Sequence, residues 1–210
     1  MKTKLLSRTL LASAVLLAFS SSASATPLLL TNPSDPTLSG SSVVDFNAEA
    51  QGSFSSRTFG GGAVTFSTSG AQLNIESTYA GQYAATGNYL ANGAGGNTFS
   101  LVFANPVSAF GFNWGAADQS WTMDLYDVAN VLIGSLAIAA QTNPYAAFIG
   151  ADGNGGLIKT VEMVQANYDY ILLDDLKFTT GQVSVVPEPT SLALLGIGLA
   201  GLGALRRRKA

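Results

Sequence analysis

From about residue 41 to residue 180, apolar residues recur at every second position. Val44 and Phe46 alternate in this way, as do Val64 and Phe66, Leu73 and Ile75, and Phe99, Leu101 and Phe103. The pattern continues through Phe110, Phe112 and Trp114, then Trp121, Met123 and Leu125, Leu132 and Leu136, and Val161 with Met163. A period of two turns one face of a strand into a core and the other into water. Turn-forming stretches separate the runs: Gly60-Gly61-Gly62, the Gly- and Asn-rich stretch 92–97, and Asp152-Gly153-Asn154-Gly155-Gly156. Nine or ten short strands with no helical period between them predict an all-β fold, an antiparallel two-sheet β-sandwich of jelly-roll type. Trp114 and Trp121 continue the inward alternation and are assigned to the core. Residues 26–40 are rich in Pro, Ser and Thr without alternation, and predict a loose lead-in.

The two ends follow other rules. Residues 1–25 open with Lys2, Lys4 and Arg8, continue through a short apolar stretch to Phe19, and close on Ser20-Ser21-Ser22-Ala23-Ser24-Ala25. That order is a secretory signal peptide, with Ala23 and Ala25 small enough for signal peptidase and cleavage placed before Thr26. After a short linker, residues 181–186, the last segment (187–210) begins at Pro187-Glu188-Pro189. An uncharged stretch from Thr190 to Leu205 follows, then Arg206-Arg207-Arg208-Lys209. The prolines keep the approach extended. As a helix the uncharged stretch spans about 24 Å, slightly under a hydrocarbon core of about 30 Å, a difference that snorkelling arginines make up. The basic cluster holds the C-terminus in the cytoplasm and leaves the domain outside the inner membrane.

Val186-Pro187-Glu188-Pro189, a short Gly/Leu-rich helix and a terminal Arg cluster resemble the PEP-CTERM sorting tail. The resemblance implies recognition by an exosortase, which cuts near Pro187-Glu188-Pro189 and passes the protein to the cell surface or the extracellular matrix. Hosts of such proteins commonly make exopolysaccharide, which makes exopolysaccharide an expected partner. Two internal segments, Pro106-Val107 with Phe110-Gly111-Phe112-Asn113-Trp114-Gly115, and Asp174-Asp175-Leu176-Lys177-Phe178, are similar to the β-sandwich ectodomain that often precedes this tail. That similarity implies a lectin-like architecture without supplying a ligand.

Charge and composition remove whole classes of function. Between residues 26 and 186 there are twelve acids against three bases (Arg57, Lys159 and Lys177), a net charge of −9. Such a body is repelled by nucleic acid and by anionic lipid. The chain has no cysteine and no histidine, so thiol–imidazole catalysis, zinc and redox centres are excluded. Any catalysis would rest on carboxylates, and the alternative to a non-enzymatic matrix protein is a secreted carboxylate-dependent polysaccharide hydrolase. Asp174 and Asp175 occupy the closing strand and point to opposite faces, which puts at least one carboxylate near the interior. Two readings of it stand. A calcium ion shared with Asp45 and Glu49 of the first strand would relieve the burial, or the aspartate is solvated or hydrogen-bonded as it ends the strand. Asp152-Gly153-Asn154-Gly155 has half the ligands of a calcium loop and reads as a glycine turn. Trp114, Trp121, Tyr79, Tyr83, Tyr89 and Tyr145 are the aromatic side chains that could stack on sugar rings, and of these Tyr79, Tyr83 and Tyr89, in a polar, Gly- and Asn-rich stretch, are the better candidates for exposed contacts.

Overall fold

A computed structural model describes residues 26–93 and 97–181; the signal-peptide residues Ala23 and Ala25, the sorting residues Val186, Pro187, Glu188 and Pro189, and the basic cluster Arg206, Arg207, Arg208 and Lys209 lie outside the described residues. The strands are β1 (Leu28–Leu30), β2 (Ser42–Val44), β3 (Gly52–Phe54), β4 (Ser56–Phe59), β5 (Val64–Ser67), β6 (Leu73–Glu76) and β7 (Tyr89–Asn92). They continue with β8 (Thr98–Gly115), β9 (Trp121–Tyr126), β10 (Leu132–Ile138), β11 (Ala146–Asp152), β12 (Ile158–Val164) and β13 (Leu172–Thr180). All pairings among these described strands are antiparallel, and together they make one curled sheet folded on itself.

The fold turns on β8. Its first half pairs with β12 on one side and β5 on the other, and its second half with β11 and β13. The stretch around Pro106, which cannot donate to a ladder, lies between the two halves, and a strand that changes partners in this way forms the corner of a sandwich. Phe99, Leu101 and Phe103 from the first half and Phe110, Phe112 and Trp114 from the second enter the same buried cluster. The rings of Trp114 and Trp121 meet edge to face at 5.5 Å. Both tryptophans are buried, as the alternation requires.

One bulge decides where the closing acids point. Asp174 pairs with Asn113 and Lys177 with Gly111, so β13 carries one residue more than β8 across this interval. Asp175 absorbs it at φ 49°. Without the bulge Leu176 would face away from Leu173; with it both lie in the core and Asp174 is turned to the outer face.

Several expectations change. The segment 26–40 is not loose: β1 pairs with β11, Asp35 caps a 3-10 turn by accepting from the Thr37 N–H at 3.0 Å, and Leu30 and Leu38 are buried against Ala109 and Phe148. Strands β1, β3, β4, β7 and β11 had no clear alternation, being short or rich in Gly, Ala and Ser. The alternating runs 99–103 and 110–114 belong to a single strand, β8. Leu132 is exposed because a register shift before Gly134 reverses the order of β10, and Ile133 and Leu136 pack on the core instead.

A tyrosine-lined cavity as the candidate functional site

Three turn segments, 116–120, 139–145 and 165–171, come together at one end of the sandwich because β8, β10 and β12 end there and β9, β11 and β13 begin there. A fourth segment, 77–88, leaves β6, lies over the outer face of β13 and β8, and reaches the same end. Glycine makes the close approach possible. A Cβ on Gly115 would stand 1.9 Å from the Tyr83 carbonyl oxygen, so only a residue without a side chain lets the segment lie flat on β8.

These four segments enclose a cavity of about 420 Å³ lined by Tyr79, Tyr83, Tyr145, Tyr168, Tyr170, Ala116, Asp118 and Asp169. Five of the chain's seven tyrosines are therefore at one place. Tyr79 meets Tyr83 at 5.8 Å and Tyr170 at 6.0 Å between ring centroids, both edge to face. The Tyr170 hydroxyl donates to Glu76 Oε1, and burial with that hydrogen bond pushes its ionisation far above the ordinary tyrosine range. Tyr168 is 60% exposed and forms the rim.

Asp169 holds the floor. It is buried, its Oδ2 accepts from the Trp121 indole N–H at 2.8 Å, and its two oxygens face the backbone N–H groups of Asp118 (3.3 Å) and Gln119 (3.4 Å). Burial raises its pKa while those three donors pull it down. Asn92 ties the same loop to β7, donating to the Asp169 carbonyl at 2.7 Å and accepting from the Ile171 N–H at 2.8 Å.

The backbone around the cavity is strained. Tyr83 (φ 49°), Ala84 (61°), Ala116 (60°) and Tyr145 (53°) all lie in the left-handed region, which costs a side-chain-bearing residue roughly 1–2 kcal/mol. Residues held this way cluster at ligand clamps.

The sequence-based candidates are only partly brought together. Tyr79 and Tyr83 line the cavity. Tyr89 does not: it is fully buried beneath them, its hydroxyl oxygen accepting from the Tyr79 N–H at 3.0 Å. Its place on β7, facing Leu172, overrode the polar character of the surrounding sequence. Tyr168 and Tyr170 were missed, although a Tyr-Asp-Tyr run ahead of a strand was a visible sign.

β2 pairs with β13, while Asp45 and Glu49 lie beyond the end of β2 rather than on a strand, and each acid has a partner of its own. Asp45 accepts from the Asn47 N–H at 3.2 Å, Glu49 forms an ion pair with Arg57 at 2.6 Å, and Asp175 accepts from Asn113 Nδ2 at 2.9 Å. Asp174 is buried and accepts from Thr86 N–H (2.7 Å), Thr86 Oγ1 (3.2 Å) and the Asp175 N–H (2.8 Å). Burial nevertheless raises its pKa to about 6. Among the described residues no three acidic side chains gather in a group that could hold a metal ion, and the hydrogen bonds to Asp174 offset the cost of its burial. Among those residues, too, no helix is long and apolar enough to cross a membrane.

Fold and site together define an all-β sandwich with an aromatic, acidic cavity built from loops at one end. Residues 185–209 match the PEP-CTERM protein-sorting motif. No curated protein matches the chain. Among solved structures, a family 29 carbohydrate binding module is similar to it at 13% identity, covering 71% of this chain and 98% of the module with a TM-score of 0.37. The K1 cleaved adhesin domain of Lys-gingipain from Porphyromonas gingivalis W83 is similar at 12% identity, covering 75% of this chain and 100% of the domain with a TM-score of 0.35.

Proposed function

We propose that this is an exported protein, freed of residues 1–25 by signal peptidase and held briefly in the inner membrane by its C-terminal tail. An exosortase then cuts it near Pro187-Glu188-Pro189, and it stays at the cell surface or in an exopolysaccharide matrix, where it binds carbohydrate weakly and performs no chemistry. The PEP-CTERM motif supports the export route. One observation carries the binding: five tyrosines around a cavity whose volume lies within the roughly 300–1,000 Å³ typical of ligand sites. Tyrosine faces suit the apolar C–H side of a pyranose, while their hydroxyls and the two carboxylates accept from sugar hydroxyl groups.

Affinity electrophoresis of the full-length protein through gels containing soluble polysaccharides tests the binding. Retardation is expected with at least one polymer and is lost in Tyr168→Ala; free migration through all of them contradicts it. Release of reducing ends during the same incubation would favour the hydrolase alternative. Intact mass of the protein recovered from its host tests maturation: the expected product begins near Thr26 and lacks the tail after roughly Pro187, and recovery of Arg206–Lys209 on the extracellular form contradicts exosortase cleavage.

A further inference from the structure

The electrostatics of the cavity narrow the class of carbohydrate. Its lining holds two carboxylates and five phenols and no lysine or arginine. The three basic residues of the described domain are engaged elsewhere. Arg57 pairs with Glu49 and donates to the Ala50 carbonyl, Lys159 donates to the Ala104 carbonyl, and Lys177 to the Pro33 carbonyl. Nothing in the cavity can therefore neutralise a uronate or a sulfate, and the net charge of −9 on the domain repels such polymers at longer range.

We propose that the cavity selects a polysaccharide carrying protonated amines, of the deacetylated amino-sugar class, over neutral and acidic polymers; the proposal rests on the carbohydrate reading above. An ammonium group supplies three donors and no acceptor, which suits a lining dominated by oxygen acceptors. Asp118 places an exposed carboxylate at the cavity, with Gln119 Nε2 donating to its Oδ1 at 3.0 Å. The tyrosine faces attract a cation through their ring quadrupoles. Asp169 beneath them is a buried carboxylate whose ionised form gains from a positive neighbour, consistent with the upward push that burial gives it.

The test is calorimetry of the full-length protein in mild detergent at about pH 5.5, where the sugar amine is protonated. The probes are a glucosamine hexamer, its fully N-acetylated neutral counterpart, and a uronate hexamer, with polylysine as a control for charge alone. The expected result is at least tenfold tighter binding of the glucosamine hexamer than of the neutral one, with no measurable uronate binding. Asp118→Asn should shrink that preference to within about threefold, and Tyr168→Ala should weaken both sugars without changing polylysine. Equal binding of amine and neutral hexamers, or uronate binding as tight as either, overturns the selectivity while leaving carbohydrate binding standing. Loss of all three sugars overturns both readings. Glucosamine binding that is indifferent to Tyr168→Ala overturns the proposal in favour of attraction by surface charge.

Discussion

The two ends of the sandwich use the same residue types for opposite purposes. At the end away from the cavity, Asp127 and Asp152 spend their carboxylates on neighbouring backbone. Asp127 accepts from the N–H groups of Ala129 and Val131, and Asp152 from that of Asn154. The left-handed positions there are Asn130, Asn154 and Gly155, which tolerate that conformation at little cost. At the cavity end, Asp169 reaches donors about fifty residues away in the chain, and the left-handed positions other than Gly81 and Gly87 are tyrosine and alanine. Turns at the far end are local and relaxed. Those at the near end hold their shape only because the surrounding fold imposes it, as expected where a surface is kept for binding rather than for stability.

The largest effect that would sharpen this contrast is loss of Asp169. Replacement by alanine leaves the Trp121 indole N–H and two backbone N–H groups without their acceptor, so Asp169→Ala should cost about 3 kcal/mol in denaturant unfolding. Asp152→Ala, at the far end, should cost no more than about 1 kcal/mol. Equal losses would break the comparison.

A second effect comes from Asp174, which anchors the 77–88 segment through Thr86. Its folded pKa of about 6 lies above the ordinary value of 3.8, so between about pH 4 and pH 6 the folded protein binds more protons than the unfolded chain. Stability therefore falls as pH rises through that window and is flat for this group above it, by an amount on the order of 2 kcal/mol. Asp169, also shifted upward, acts in the same direction. Chemical denaturation from pH 4 to pH 7 should show the fall, and Asp174→Asn should flatten it. A slope of opposite sign would mean that the carboxylate is not desolvated.

Relief of strain is a smaller effect with a telling sign. Ala116→Gly should raise stability by about 0.5–1 kcal/mol, because glycine adopts a φ of 60° freely, while loosening the cavity and weakening sugar binding. Asn154→Ala at the far end should lower stability by a similar amount. Thermal melts of both variants check this, and a destabilised Ala116→Gly would show that Ala116 is not strained.

Smallest of all is Tyr168→Ala, expected within about 0.5 kcal/mol of the parent in unfolding, since the ring is exposed, yet with binding lost.

How much of this was legible in the sequence follows from the same contrast. Period-two runs such as Phe110, Phe112 and Trp114 show their buried face directly, and Asp152-Gly153-Asn154-Gly155 reads as a turn because its hydrogen bonds are local. The bulge at Asp175 was hidden, since nothing in Asp174-Asp175-Leu176 says that two residues will face one on β8. The lead-in was misread because Leu30 and Leu38 gain their burial from Ala109 and Phe148, far along the chain. The cavity was half visible: Tyr79 and Tyr83 stood out by the polarity of their neighbours and Tyr145 as an aromatic candidate, but Tyr168 and Tyr170 join them only through the antiparallel pairing of β8, β11 and β13. Tyr89 shares that polar setting and is nonetheless fully buried. Exposure is a property of the assembled sheet, and neighbouring residues do not report it.

The central claim is that the tyrosine-bearing end is where this protein meets its ligand. Hydrogen–deuterium exchange of the full-length protein with and without a saturating oligosaccharide tests it directly. The account predicts protection confined to residues 77–88, 116–120, 139–145 and 165–171, with the far turns at 127–131 and 153–157 unchanged. Protection of those far turns, or of neither end under demonstrated binding, would contradict it.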